Sequence, residues 1–313
     1  AYYRTYQKIA YSDFAGETRM EIGYVALNVF LTYIFQDTLV GFHVLLFITS
    51  VFSYWALEQW IERHAITYGI CVITFYFLSN QSYMSAIRQS VAVGFILWAL
   101  MAMEDLNGRK RYIVYALLIV LATLFHKTAV VALIFPFLMK RKYTRNTTWL
   151  LMLITLVATL TNVVSSVISI LGLGTGYVTT EIGNAVNVGV VSLLYFALLL
   201  LRLICDNSSY IMDEGATDIE NTAYGDNFYT YCIALSLAVT VMSLRAAGMS
   251  RLNMYLQLVG LPYVSNIMRR IENQRVAFIV KVVFSMAIWG YSVISLIYRP
   301  EWQHIWPYHF YWQ

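Results

Sequence analysis

Apolar residues in this chain come in long blocks separated by short polar stretches. The blocks run over residues 39–56, 65–80, 83–104, 112–139, 148–171, 185–205, 227–247, 251–268 and 276–298. Most are near the roughly 20 residues a helix needs to cross a bilayer's hydrocarbon core. They are continuous and do not alternate with period two, which excludes a membrane barrel. The segment from Ile22 to Phe35 is apolar but short, and predicts an interfacial or re-entrant helix on the outer face. Residues 57–64 predict a cytoplasmic loop. The block 112–139 lies between two basic loops and must leave and return, so it predicts a helical hairpin with His126-Lys127-Thr128 at its tip and Pro136 breaking or kinking the returning limb. The pattern defines one all-α domain over residues 1–313, a polytopic membrane helix bundle of about nine to eleven membrane helices.

Composition agrees. Hydrophobic residues make up 59% of the 313 and charged residues 12%, against about 45–50% and about 25% in soluble domains. The net charge of +4 matters less than its placement. Arg109, Lys110 and Arg111 form one basic cluster, Lys140, Arg141, Lys142 and Arg145 a second, and Arg269, Arg270 and Arg275 a third. Short basic loops mark the cytoplasmic side. Cys71, Cys205 and Cys232 have no metal or redox spacing and read as small buried apolar residues. Two glycosylation-like triplets, at Asn146 and Asn207, fall in loops assigned to the cytoplasm and are chance matches. The chain starts at Ala1, and a further N-terminal helix is expected before it. No repeat of 20–50 residues is visible.

The candidate chemistry stands out against this background. Arg88 and His126 interrupt apolar blocks, where charge is costly and marks function by default. The loop charges place both at similar depth near the outer face. Glu21, Arg245 and Arg251 join them there, with Tyr24, Gln89, Glu181, Arg299, Tyr308 and His309 as secondary candidates. Arginines gathered outside run against the usual bias and suit a phosphate or pyrophosphate, which guanidinium holds through two parallel bonds. The alternative for each is a snorkelling side chain or an ion partner between helices. His126 is either a general base or a cap at the hairpin tip. Glu21 is a base, an arginine partner, or a carboxylate at a helix start. No metal motif or nucleophile elbow occurs. Gly172-Leu173-Gly174-Thr175-Gly176 follows no strand and is not a phosphate loop.

These residues carry a resemblance. Glu21-Ile22-Gly23-Tyr24, Ile87-Arg88-Gln89-Ser90-Val91-Ala92 and Phe125-His126-Lys127-Thr128-Ala129 are similar in order and spacing to the EpsG family, as are Arg251-Leu252-Asn253-Met254-Tyr255 and Pro307-Tyr308. Lys127-Thr128 departs mildly from that pattern, and an Asp-Tyr motif expected just before Ala1 is not in the chain. The resemblance implies a Wzy-type polymerase of oligosaccharide repeat units with a GT-C-like membrane fold, in a bacterial inner membrane. It implies that undecaprenyl-pyrophosphate-linked glycans are joined at the outer leaflet for O-antigen, capsule or exopolysaccharide. On that reading Arg88, Arg245 and Arg251 bind pyrophosphate, and Glu21 or His126 is the base. Tyr24 and Gln89 contact glycan. No cofactor is expected; the sequence offers no carboxylate cage for a metal on the outer side, and metal dependence stays open. Expected partners are membrane lipid, a chain-length regulator and a flippase, with no nucleic acid. A lipid-linked glycan flippase is the alternative, or a glycan ligase or acyltransferase.

Overall fold

A computed structural model describes residues 2–11, 20–161, 182–207, 225–244 and 249–298. Every regular element among them is helical. The helices are α1 (Tyr2–Tyr11), α2 (Ile22–Ile34), α3 (Thr38–His64), α4 (Tyr68–Leu78), α5 (Asn80–Ser85), α6 (Ile87–Asp105) and α7 (Gly108–Phe125). A 3₁₀ segment (Lys127–Ile134) leads into α8 (Phe135–Leu138). Then follow α9 (Arg145–Leu160), α10 (Ile182–Asn207), α11 (Gly225–Met242), α12 (Met249–Val259), α13 (Pro262–Arg269) and α14 (Gln274–Tyr298).

Among the described residues, four helices have the length and hydropathy to cross a membrane: α3, α6, residues 188–205 of α10 and residues 274–297 of α14. Several others are apolar but shorter. Large apolar side chains face outward along the bundle, among them Phe47, Leu117, Val120, Leu153, Phe278 and Val283. Such continuous apolar exposure is foreign to a soluble monomer and is the surface lipid covers. The chain is an integral membrane protein.

Helix α6 sits at the centre, packed between α3 and α7. Helix α3 departs from expectation. It does not end before residue 57 but runs to His64, and the polar stretch forms its last two turns. Leu57, Trp60, Ile61 and His64 are buried there, while Glu62 and Arg63 face out. That is one helical face at spacing i, i+3, i+4, i+7. Asp37 starts the helix by accepting from the amides of Leu39 and Val40.

The block 251–268 is likewise not one helix. It breaks between α12 and α13, where Pro262 supplies no amide proton to continue the ladder. Side chains from neighbouring helices reach the carbonyls around the break. Val259 O accepts from Trp60 Nε1 at 3.1 Å, and Leu261 O takes the Cys71 thiol at 3.5 Å beside the Val264 amide. Asn266 closes the junction, donating to His64 O and accepting from the Ile66 amide, both at 3.1 Å.

The hairpin forms as expected, with His126 between α7 and the 3₁₀ segment. The returning limb packs on α7, and Tyr115 Oη donates to Ala132 O at 2.5 Å. A 3₁₀ helix rises about 2.0 Å per residue instead of about 1.5 Å. This lets a limb too short for an α-helical crossing reach further back. Pro136 does not interrupt that limb; it sits in the first turn of α8, where the 3₁₀ segment gives way to α-helix.

The three basic loops gather at one end of the bundle. Lys140 lies over the Tyr112 ring, 5.5 Å from its centre. Lys142 O accepts from Tyr231 at 3.0 Å, and Arg270 pairs with Asp226 at the start of α11. Buried Arg202 joins this layer through Asn227 at 3.1 Å. The helix ends bearing Glu21, Arg88 and His126 lie at the opposite end.

Candidate functional site

Three separate parts of the chain bring Glu21, Arg88 and His126 together. Arg88 is the second residue of α6, because α5 and α6 are separated by a turn at Ala86. His126 occupies the corner of the hairpin in extended conformation (φ −154°, ψ 114°). Glu21 is the residue before α2.

Gly23 makes this approach possible. A Cβ there would stand 2.9 Å from both Cβ and O of Leu124, closer than real contacts allow. Without it, the first turn of α2 lies directly on the last turn of α7. That contact carries Glu21 to the hairpin corner.

Glu21 does not cap its own helix. Its Oε2 accepts from Arg88 Nη1. Its Oε1 lies 3.2 Å from His126 Nδ1 and 3.5 Å from the Lys127 amide. Both carboxylate oxygens are therefore committed. Burial on its own would raise this carboxyl, but the His126 ring and the Arg88 charge outweigh it and hold it at about 2. The His126 ring caps no helix. It is 6% exposed, with Nδ1 turned to Glu21 at 3.2 Å and neither ring nitrogen in a well-formed hydrogen bond.

The remaining candidates surround this cluster unevenly. Gln89 is buried and donates to the backbone carbonyl of Arg251, tying the start of α6 to the start of α12. Arg251 itself is exposed. One turn on, Tyr255 Oη lies 3.1 Å from Thr128 Oγ1 and joins α12 to the hairpin. Tyr24 is fully buried against Tyr2, with ring centres 5.9 Å apart. Gln89 and Tyr24 thus support the site from behind. Arg245, Glu181, Arg299, Tyr308 and His309 lie outside the described residues. No group of three or more His, Cys, Asp or Glu side chains placed to hold a metal occurs among the described residues.

Gly23, Thr128 and Tyr255 entered the sequence reading only as members of motifs, with no role of their own. The glycine was legible only as part of a motif, since its role depends on a partner a hundred residues away.

The cluster is a buried carboxylate–imidazole–guanidinium set at one end of a helical membrane bundle. That is a site able to take a proton from a hydroxyl and to sit beside an anionic group. The whole chain agrees with one family: the match to the EpsG family covers residues 1–310, and the protein belongs to it. The family is related to the Wzy-type polymerases and associated with glycan polymerisation. No curated protein and no solved structure matches the chain.

Proposed function

We propose that this protein joins oligosaccharide repeat units carried on undecaprenyl pyrophosphate, at the outer leaflet of a bacterial inner membrane. One observation carries the reading: Glu21, Arg88 and His126, from three separate segments, converge at the end of the bundle opposite the basic loops. Family membership supports it over nearly the whole length. The helical architecture is compatible with the GT-C type.

The donor is a glycan on polyprenyl pyrophosphate, and the acceptor a lipid-linked unit with a free sugar hydroxyl. His126 Nε2 takes the proton as the acceptor oxygen bonds to the donor's anomeric carbon. The bond from that carbon to the pyrophosphate oxygen breaks, and its electron pair leaves with the pyrophosphate. Glu21 is the poorer base because its carboxyl is held at about 2 and both oxygens are engaged. Its role is positioning: facing Nδ1, it favours the tautomer that leaves Nε2 free to accept. Arg88 and Arg251 provide positive charge for the leaving pyrophosphate, together with Arg245.

Deletion of the gene discriminates this reading from its alternatives. A lost polymerase leaves single repeat units on the final acceptor. A lost flippase leaves no surface sugar, and a lost ligase leaves long polymer on the carrier lipid. Either of the last two outcomes excludes a polymerase.

A further inference from the structure

A second cavity opens at the same end of the bundle, on another face of α12. It measures about 150 Å³, space on the order of ten waters. Its polar lining comes from Ser79 and Ser82 around α5, Thr240 and Ser243 at the end of α11, and Asn253 and Gln257 of α12. Among the described residues, no acidic, basic or aromatic side chain lines it. A larger crevice of about 290 Å³ between α9, α10 and α11 is walled mostly by leucine, alanine and other apolar residues, and offers little to a polar ligand.

Two features mark the smaller cavity as more than a packing gap. Thr240 is 5% exposed, yet its hydroxyl makes no hydrogen bond within the protein. The buried Oδ1 of Asn253 makes no well-formed hydrogen bond either, with the Tyr195 hydroxyl near it. Buried polar atoms in native proteins find partners, and the Thr240 hydroxyl has none here. By contrast, Gln257 is held in place, its Nε2 donating to Ser79 Oγ at 2.6 Å.

Neutral hydroxyls and amides, with donors and acceptors mixed, match the hydroxyl groups of a sugar ring. They do not match a phosphate, which calls for cations. We propose that this cavity is a glycan subsite, holding one neutral sugar ring of the lipid-linked repeat unit through Thr240, Asn253 and the serines around it. The proposal rests on the polymerase reading for the identity of the glycan. The geometry of α12 links the two sites: the Arg251 carbonyl meets Gln89 of α6 and Tyr255 meets the hairpin, while Asn253 and Gln257 face the cavity. A glycan longer than one sugar can hold a ring in the cavity and extend past the first turn of α12 towards His126.

The test uses the purified full chain in lipid nanodiscs with lipid-linked repeat units extracted from the producing strain. Thr240→Val keeps shape and removes the hydroxyl; since that hydroxyl has no protein partner, thermal stability should hold or rise. Ser82→Phe puts bulk on an exposed position at the mouth. Both variants should raise KM about tenfold, as for loss of one or two hydrogen bonds, with kcat within about twofold. Wild-type KM in both variants, with the wild type polymerising, overturns the subsite and leaves the polymerase reading intact. If the wild type makes no polymer, the polymerase reading fails, and binding of the free oligosaccharide released from the same lipid decides the subsite. Binding that weakens in both variants upholds it, and absent or unaltered binding overturns it.

Discussion

In the proposed mechanism His126 moves the proton and Glu21 holds the ring that takes it. The carboxylate is fixed between Arg88 and the imidazole. His126→Ala should lower turnover by about 10²–10⁴-fold, the usual worth of a general base, with the protein still folded. Arg88→Lys keeps the charge but loses the planar fork, and should lie between wild type and Arg88→Ala in turnover. Repeat-unit consumption measured beside thermal stability separates these effects from misfolding. The depressed Glu21 carboxyl has a pH signature as well. Its folded value lies below the ordinary 4.5, so its contribution to stability is fully present above 4.5 and is lost as pH falls towards about 2. Thermal stability of the wild type should therefore fall more steeply below pH 4.5 than that of Glu21→Gln, whereas parallel curves would show that the ion cluster contributes nothing.

At the scale of elements, the contact of α2 with α7 sets the site. Gly23→Ala adds a single methyl against Leu124 backbone and side chain. The first turn of α2 must then move off, and Glu21 with it. Activity should drop at least tenfold while the bundle, whose core lies around α6, loses only about 1–3 kcal/mol. Full activity in Gly23→Ala would show that the close approach is not required. Elements were unevenly legible in the sequence. The apolar blocks located most helices, and the hairpin followed from loop charge. Hydropathy could not reveal the α12–α13 break, because Leu258, Val259 and Leu261 stay apolar across it; Pro262 was the available sign. The reach of α3 to His64 was hidden by its charges, although Leu57, Trp60, Ile61 and His64 already carried the helical period. The ionic site was readable because charge inside apolar blocks is costly. The neutral cavity was not, since serine, threonine, asparagine and glutamine are tolerated in membrane helices and signal nothing until they converge.

For the whole molecule, the account requires that the two ends of the bundle face opposite sides of the membrane. The basic loops share one end and should be cytoplasmic. In a background with the three native cysteines replaced, Lys110→Cys should resist a membrane-impermeant thiol reagent in intact cells, and Ser85→Cys, exposed beside Arg88's end of α6, should react. The reverse pattern would put the cluster inside the cell, away from the outer leaflet. The central claim, that the Glu21–Arg88–His126 cluster links repeat units, is tested most directly by polymerisation in vitro. Purified wild type, given only the lipid-linked repeat unit in nanodiscs, should yield a ladder of polymer lengths, while folded His126→Ala should leave single units. A wild-type ladder from folded His126→Ala, or no ladder from the wild type, would contradict the account.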